Sequence, residues 1–135
     1  MKPHAVSISL SLLLLTMNIP ARGEQLLYLA SSRDKMIVGF EVDQHRGSLT
    51  QQFQIDLPGN PGPLTFSPDS SFIYASMTGL KDDRAGVATL RRAPDGHLQL
   101  LATATLTSRA PYIRTDLTGR FLLAAHYGAG DVTMN

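Results

Sequence analysis

Two stretches of the chain share one hydrophobic–polar pattern. Residues 64–76, LTFSPDSSFIYAS, place a polar turn between two apolar runs. Residues 113–125, IRTDLTGRFLLAA, do the same 49 positions later. At this offset Leu64 falls on Ile113, Phe72 on Phe121, and Gly47-Ser48-Leu49 on Gly96-His97-Leu98. A further copy of the apolar stretch, LLYLAS, stands at 26–31. A period near 50 residues marks a repeat architecture, in which each unit buries its apolar face against the next.

The unit reads as β-structure. IVGFEV (37–42) mixes β-branched and aromatic residues, and LQLLATATL (98–106) partly alternates. Ser67-Pro68-Asp69-Ser70 puts proline where a type I turn needs a fixed φ. Asp116-Leu117-Thr118-Gly119 has Asp first and Gly fourth, both favoured in such turns. Pro94-Asp95-Gly96 and Gln44-His45-Arg46-Gly47 mark one more hairpin per copy. No helical period is sustained beyond the N-terminal segment.

Four short strands in about 50 residues make one blade of a β-propeller. The pattern predicts strands near 63–67, 72–77, 86–91 and 98–106 for one blade. It predicts 112–115, 121–126 and 130–134 for the start of the next. The fold class expected is therefore all-β, a propeller of four-stranded antiparallel blades, over a β-sandwich built from similar strands. Residues 24–135 would supply about two blades. Rings close with about four to eight, so the chain is expected to be the N-terminal piece of a longer protein.

The first 23 residues stand apart. Lys2 precedes an apolar run at 5–17, AVSISLSLLLLTM, shorter than the roughly 20 residues of a membrane span. Pro20 and Ala21-Arg22-Gly23 follow, with small residues at the −3 and −1 positions of a cleavage site before Glu24. This predicts a signal peptide at 1–23, cleavage near Gly23/Glu24, a partial propeller at 24–135, and a periplasmic or secreted product without a membrane anchor.

Composition narrows the function classes. The formal net charge is +1 with no basic run, which argues against nucleic acid as a partner. There is no Cys, so disulfides, thiolate nucleophiles and Cys-ligated zinc are excluded. No metal-ligand spacing, phosphate-cradling loop or nucleophile elbow is present, and Gly128-Ala129-Gly130 does not open a helix. Neither metal nor cofactor is expected.

Three stretches resemble the lactonase family of seven-bladed propellers, whose members include 6-phosphogluconolactonases. They are YLASSRDKMIVGFEVDQHRGSLT (28–50), LPGNPGPLTFSPDSSFIYAS (57–76) and YIRTDLTGRFLLAAHYGAGDV (112–132). The likeness covers the chain after the leader, about the first third of a full member. T-G-R-F-L-L with Y-G-x-G is its most specific part. Tyr112 stands where members often carry His. The residues usually implicated in family chemistry lie in later blades, so the resemblance assigns no catalytic residue here.

It implies an exported hydrolase of a sugar lactone, with a small lactone or sugar acid as ligand. This 135-residue portion would be inactive alone. The alternative is a non-enzymatic exported propeller that binds protein or glycan. In a propeller, loops entering the inner strand and loops between the second and third strands gather at one mouth. Asn60, Arg109, Tyr112, Arg114, His126 and Tyr127 are expected there. Arg109 or Arg114 would grip an anionic ligand. Tyr112 or Tyr127 would donate to oxygen, and His126 would serve a proton relay.

Overall fold

The structure, a computed structural model, describes residues 25–135. The expected signal peptide and its cleavage site lie outside the described residues. Ten strands form three antiparallel sheets. The first holds β1 (Gln25–Ser31), β2 (Met36–Asp43) and β3 (Ser48–Asp56), in that order. The second holds β4 (Asn60–Phe66), β5 (Phe72–Thr78), β6 (Gly86–Arg92) and β7 (Leu98–Thr105). In the third, β8 (Tyr112–Thr115), β9 (Leu122–His126) and β10 (Asp131–Met134) run side by side. Among the described residues the one helical element is a 3₁₀ turn at Lys81–Asp83.

The 49-residue offset aligns β4 with β8 and β5 with β9, so these are the first and second strands of their sheets. β3 leads directly into β4, as β7 leads into β8. β1 to β3 therefore occupy the second, third and fourth positions of a blade. The hairpin after β2 closes through Gly47 N–H to the Asp43 carbonyl at 2.8 Å. Its counterpart after β6 closes through Gly96 N–H to the Ala93 carbonyl at 2.9 Å.

The second sheet presents one face to the first sheet and the other to the third. On β5 and β6, Ala75, Met77, Ala88 and Leu90 face backward and are buried with Ile37 and Leu57. Alternation sends Val87 to the other face, where it is buried with Ala110, Ile113, Leu122 and Ala124. Tyr74 packs against the same group. Polar contacts register the sheets. The Tyr28 hydroxyl donates to the Gly96 carbonyl at 2.7 Å and accepts from Arg92 Nε at 2.9 Å. Thr115 Oγ1 donates to the Phe66 carbonyl at 2.8 Å, which joins the inner strands β8 and β4.

The turn between the first two strands is built twice from the same chemistry. Asp69 accepts from Ser67 Oγ at 2.6 Å, Ser71 Oγ at 2.7 Å and Ser71 N–H at 3.1 Å. Asp116 accepts from the Thr118 hydroxyl, Thr118 N–H at 3.1 Å and Phe121 N–H at 2.9 Å. Both turns need a positive φ at the same place, +59° at Ser70 and +69° at Gly119. The side-chain bond from Ser67 leads in holding the Asp69 carboxyl down at about 2, and that from Thr118 leads for Asp116, also at about 2. Both lie below the ordinary 3.8, so each carboxylate adds stability above that value and loses it as pH falls through about 2. Asp69→Ala and Asp116→Ala should each lower the thermal midpoint at neutral pH. The gap to wild type should shrink as pH falls from about 4 to about 2. A gap that stays constant over that range would show the carboxylates do not hold the turns.

Candidate functional site

The loops β3–β4 and β7–β8 enter inner strands at the same end as the β1–β2, β5–β6 and β9–β10 turns. Backbone bonds tie them in pairs. Leu57 N–H donates to the Lys35 carbonyl at 2.7 Å, and Leu106 N–H donates to the Ala85 carbonyl at 3.0 Å. Ser76 Oγ, buried on the second sheet, donates to the Ala110 carbonyl at 2.8 Å. The segment 106–111 is thus pinned across the gap between sheets.

A groove of about 1220 Å³ opens at this end of the third sheet. Four of the expected site residues, Arg109, Tyr112, His126 and Tyr127, line it, together with Asp131. Arg114 does not. It lies two residues further along β8 and lines a separate depression of about 330 Å³, with Tyr112 and Asp116. Asn60 begins β4 opposite Thr78, with its amide against Gly79.

The groove has two parts of different character. Its floor includes Ala125 and Val132. At the 49-residue offset Ala125 matches Ser76. Val132 stands opposite Ala125 as Val87 stands opposite Ser76. Ser76 and Val87 lie on the face of the second sheet that the third sheet covers. The floor is therefore a sheet-packing surface. The rim, with Arg109, Tyr127 and Asp131, is where a polar ligand fits. Tyr127 is 89% exposed on its turn, and Arg109 and Asp131 are exposed beside it.

His126 is placed differently from its rim neighbours. It is 1% exposed, and both ring nitrogens are bonded: Nδ1 at 3.1 Å to Ser108 O and to Ser108 Oγ, Nε2 at 2.9 Å to Thr133 Oγ1. The sequence did not single out Ser108, Thr133 or Asp131. Asp131 is the carboxylate of the groove, and it can take a proton from water or balance Arg109. Among the described residues no group of three or more His, Cys, Asp or Glu could hold a metal ion.

Successive antiparallel sheets with matching strand order, packed face to face about inner strands, with loops gathered at one end, define a β-propeller. Residues 26–135 match the family described as lactonase, seven-bladed β-propeller, and the chain belongs to that family. It is 33% identical over 111 residues to the 6-phosphogluconolactonase of Cronobacter sakazakii, and 32% identical over 111 residues to that of an Enterobacter species. In both cases the match covers 82% of this chain and 32% of the relative. The chain thus spans about a third of the length of these relatives. Among solved structures it resembles the periplasmic gluconolactonase of Pseudomonas aeruginosa. The TM-score is 0.69 at 22% identity, covering 81% of this chain and 31% of the other. That likeness concerns the fold.

Proposed function

We propose that the protein to which this chain belongs hydrolyses a sugar lactone outside the cytoplasm. Water adds to the ring carbonyl, the ring C–O bond breaks, and the ring oxygen takes up a proton to give the open sugar acid. The carrying observation is membership of the lactonase family, supported by relatives named 6-phosphogluconolactonase. The rim supplies a cation in Arg109, a phenol in Tyr127 and a carboxylate in Asp131. Arg109 would hold the polar edge or acid group of the sugar through paired hydrogen bonds. Tyr127 would donate to an oxygen that gains charge, and Asp131 would take the proton of the attacking water. Tyr112 completes the proposed binding set on the groove, Arg114 would meet ligand only in the neighbouring depression, and His126 would act on the site indirectly, from within the sheet.

The signal peptide expected from the sequence of residues 1–23 supports export. Export favours an unphosphorylated lactone such as glucono-δ-lactone, because sugar phosphates are made and kept inside cells. The whole protein should open glucono-δ-lactone faster than buffer does, followed by base uptake at constant pH. Arg109→Ala should raise KM about tenfold, the worth of one charge-assisted contact. The 135-residue chain alone should give no more than the buffer rate, since it provides three sheets of the ring. Buffer-level rates for the whole protein across phosphorylated and unphosphorylated lactones would overturn the assignment. They would leave the propeller as a binding module.

A further inference from the structure

Position 126 breaks the repeat. The residue 49 positions earlier is Met77, 1% exposed in the apolar core between the first and second sheets. His126 stands opposite Asp131 as Met77 stands opposite Gly86, so Thr133 matches Ala88, which is fully buried. The third sheet has therefore replaced an apolar Met–Ala pair with a polar His–Thr pair at a core position. Burying an imidazole and a hydroxyl costs free energy unless each is hydrogen-bonded. Here every polar atom is satisfied. Packing alone would be served by the pair found in the second sheet.

The bonds show what the exchange accomplishes. His126 Nδ1 lies 3.1 Å from both Ser108 O and Ser108 Oγ, so it donates to the carbonyl in one tautomer and accepts from the hydroxyl in the other, and it bonds Ser108 in both. Nε2 pairs with the Thr133 hydroxyl at 2.9 Å, and Asn135 Nδ2 donates to that hydroxyl at 3.2 Å. Along the loop, Leu106 is held by Ala85, Ser108 by His126, and Ala110 by Ser76. The anchors fall on alternate residues, and Arg109 projects from between two of them. The anchors at 106 and 110 tie the loop to the second sheet. The anchor at 108 ties it to the third, whose rim carries Tyr127 and Asp131.

We propose that His126 is a positioning residue, clipping loop 106–111 to β9 and β10 so that Arg109 is held at a fixed place relative to Tyr127 and Asp131. Its consequence for substrate rests on the lactonase reading; the clip itself does not. The test uses the full chain with His126→Met and Thr133→Ala together, which writes the Met77–Ala88 pair into the third sheet. The folded signal should be retained, and the backbone order parameters of Ser108 and Arg109 should fall to those of a flexible loop, below about 0.6. Those in the centre of β5 and β6 should not change. Unaltered order parameters at 108–109 would overturn the proposal. Nitrogen NMR of the wild-type chain gives a reading that requires no variant. A single fixed tautomer of the clipped ring is expected, and ring-nitrogen shifts averaged between the two tautomers would overturn it. In the whole protein the double variant should raise KM for glucono-δ-lactone about tenfold at little cost in kcat, and His126→Gln, which can donate and accept, should recover part of the loss. A wild-type protein that opens no lactone would remove the substrate assignment while the order-parameter and tautomer results still decide the clip.

Discussion

Leu90→Ala should destabilise the folded chain by about 2–5 kcal/mol, the range for emptying a buried leucine site. Leu90 is 0% exposed and sits on β6, an inner member of the second sheet, in register with Ile73 on β5 and Leu100 on β7. Its side chain belongs to the cluster that joins the first two sheets, with Ile37, Leu57 and Met77. Two paired strands flank it, so the backbone cannot collapse into the space left behind, and the cavity persists. A domain is typically stable by only about 5–15 kcal/mol, so this one change removes a large fraction. Urea unfolding followed by circular dichroism measures it. Leu101→Ala, on the exposed side of β7, is the control and should cost under about 1 kcal/mol. Equal losses for the two variants would mean that the first and second sheets are not tightly packed.

Gly86→Ala should cost about 1–3 kcal/mol through overpacking. A Cβ on Gly86 would lie 2.5 Å from the Ala104 carbonyl oxygen and 2.5 Å from Leu80 Cδ1. Leu80 can turn aside, but the carbonyl cannot. It belongs to β7, held by the pairs Gly86–Thr105 and Val87–Ala104. Relief therefore means parting β6 from β7 at the mouth end. Differential scanning calorimetry should show a lowered midpoint, and amide exchange should rise at 86–88 and 103–105. Gly128→Ala meets nothing within 4 Å and should leave the midpoint nearly unchanged. A Gly86→Ala midpoint equal to wild type would show that the end of this ladder is loose.

The strand plan was legible because the repeat supplied each reading twice. The expected spans at 72–77, 86–91 and 112–115 meet β5, β6 and β8 within a residue at either end. β4 begins at Asn60, three residues before the expected 63, since Asn60-Pro61-Gly62-Pro63 looks like a loop on paper. The ladder carries these prolines by an irregularity between Pro61 and Leu64. The 3₁₀ turn at Lys81–Asp83 left no trace in the sequence. Asp82 and Asp83 adopt positive φ without glycine, and the turn buries no side chain.

The site was legible in part. Loop position brought Arg109, Tyr112 and Tyr127 to one groove, as the propeller plan requires. Arg114 separates from that groove because a strand carries its side chains about 3.3 Å further per residue. The burial of His126 had a signal, since the 49-residue offset lays it on Met77. Ser108 and Thr133 carried none, because they reach His126 from a loop and a strand that fold onto it from either side.

The first sheet has a consequence for how such a ring forms. β1, β2 and β3 fill the outer three positions, and among the described residues no strand pairs with the inward edge of β1. The second sheet can assemble from one continuous run of chain, since β4 to β7 are joined in order by short connections. The first lacks its inner strand among the described residues, so its inward edge leaves a row of backbone groups open to a strand from outside them. A strand supplied by a distant stretch of chain would bring a loop-closure entropy that comes due before any contact compensates it. The second sheet should therefore form ahead of the first.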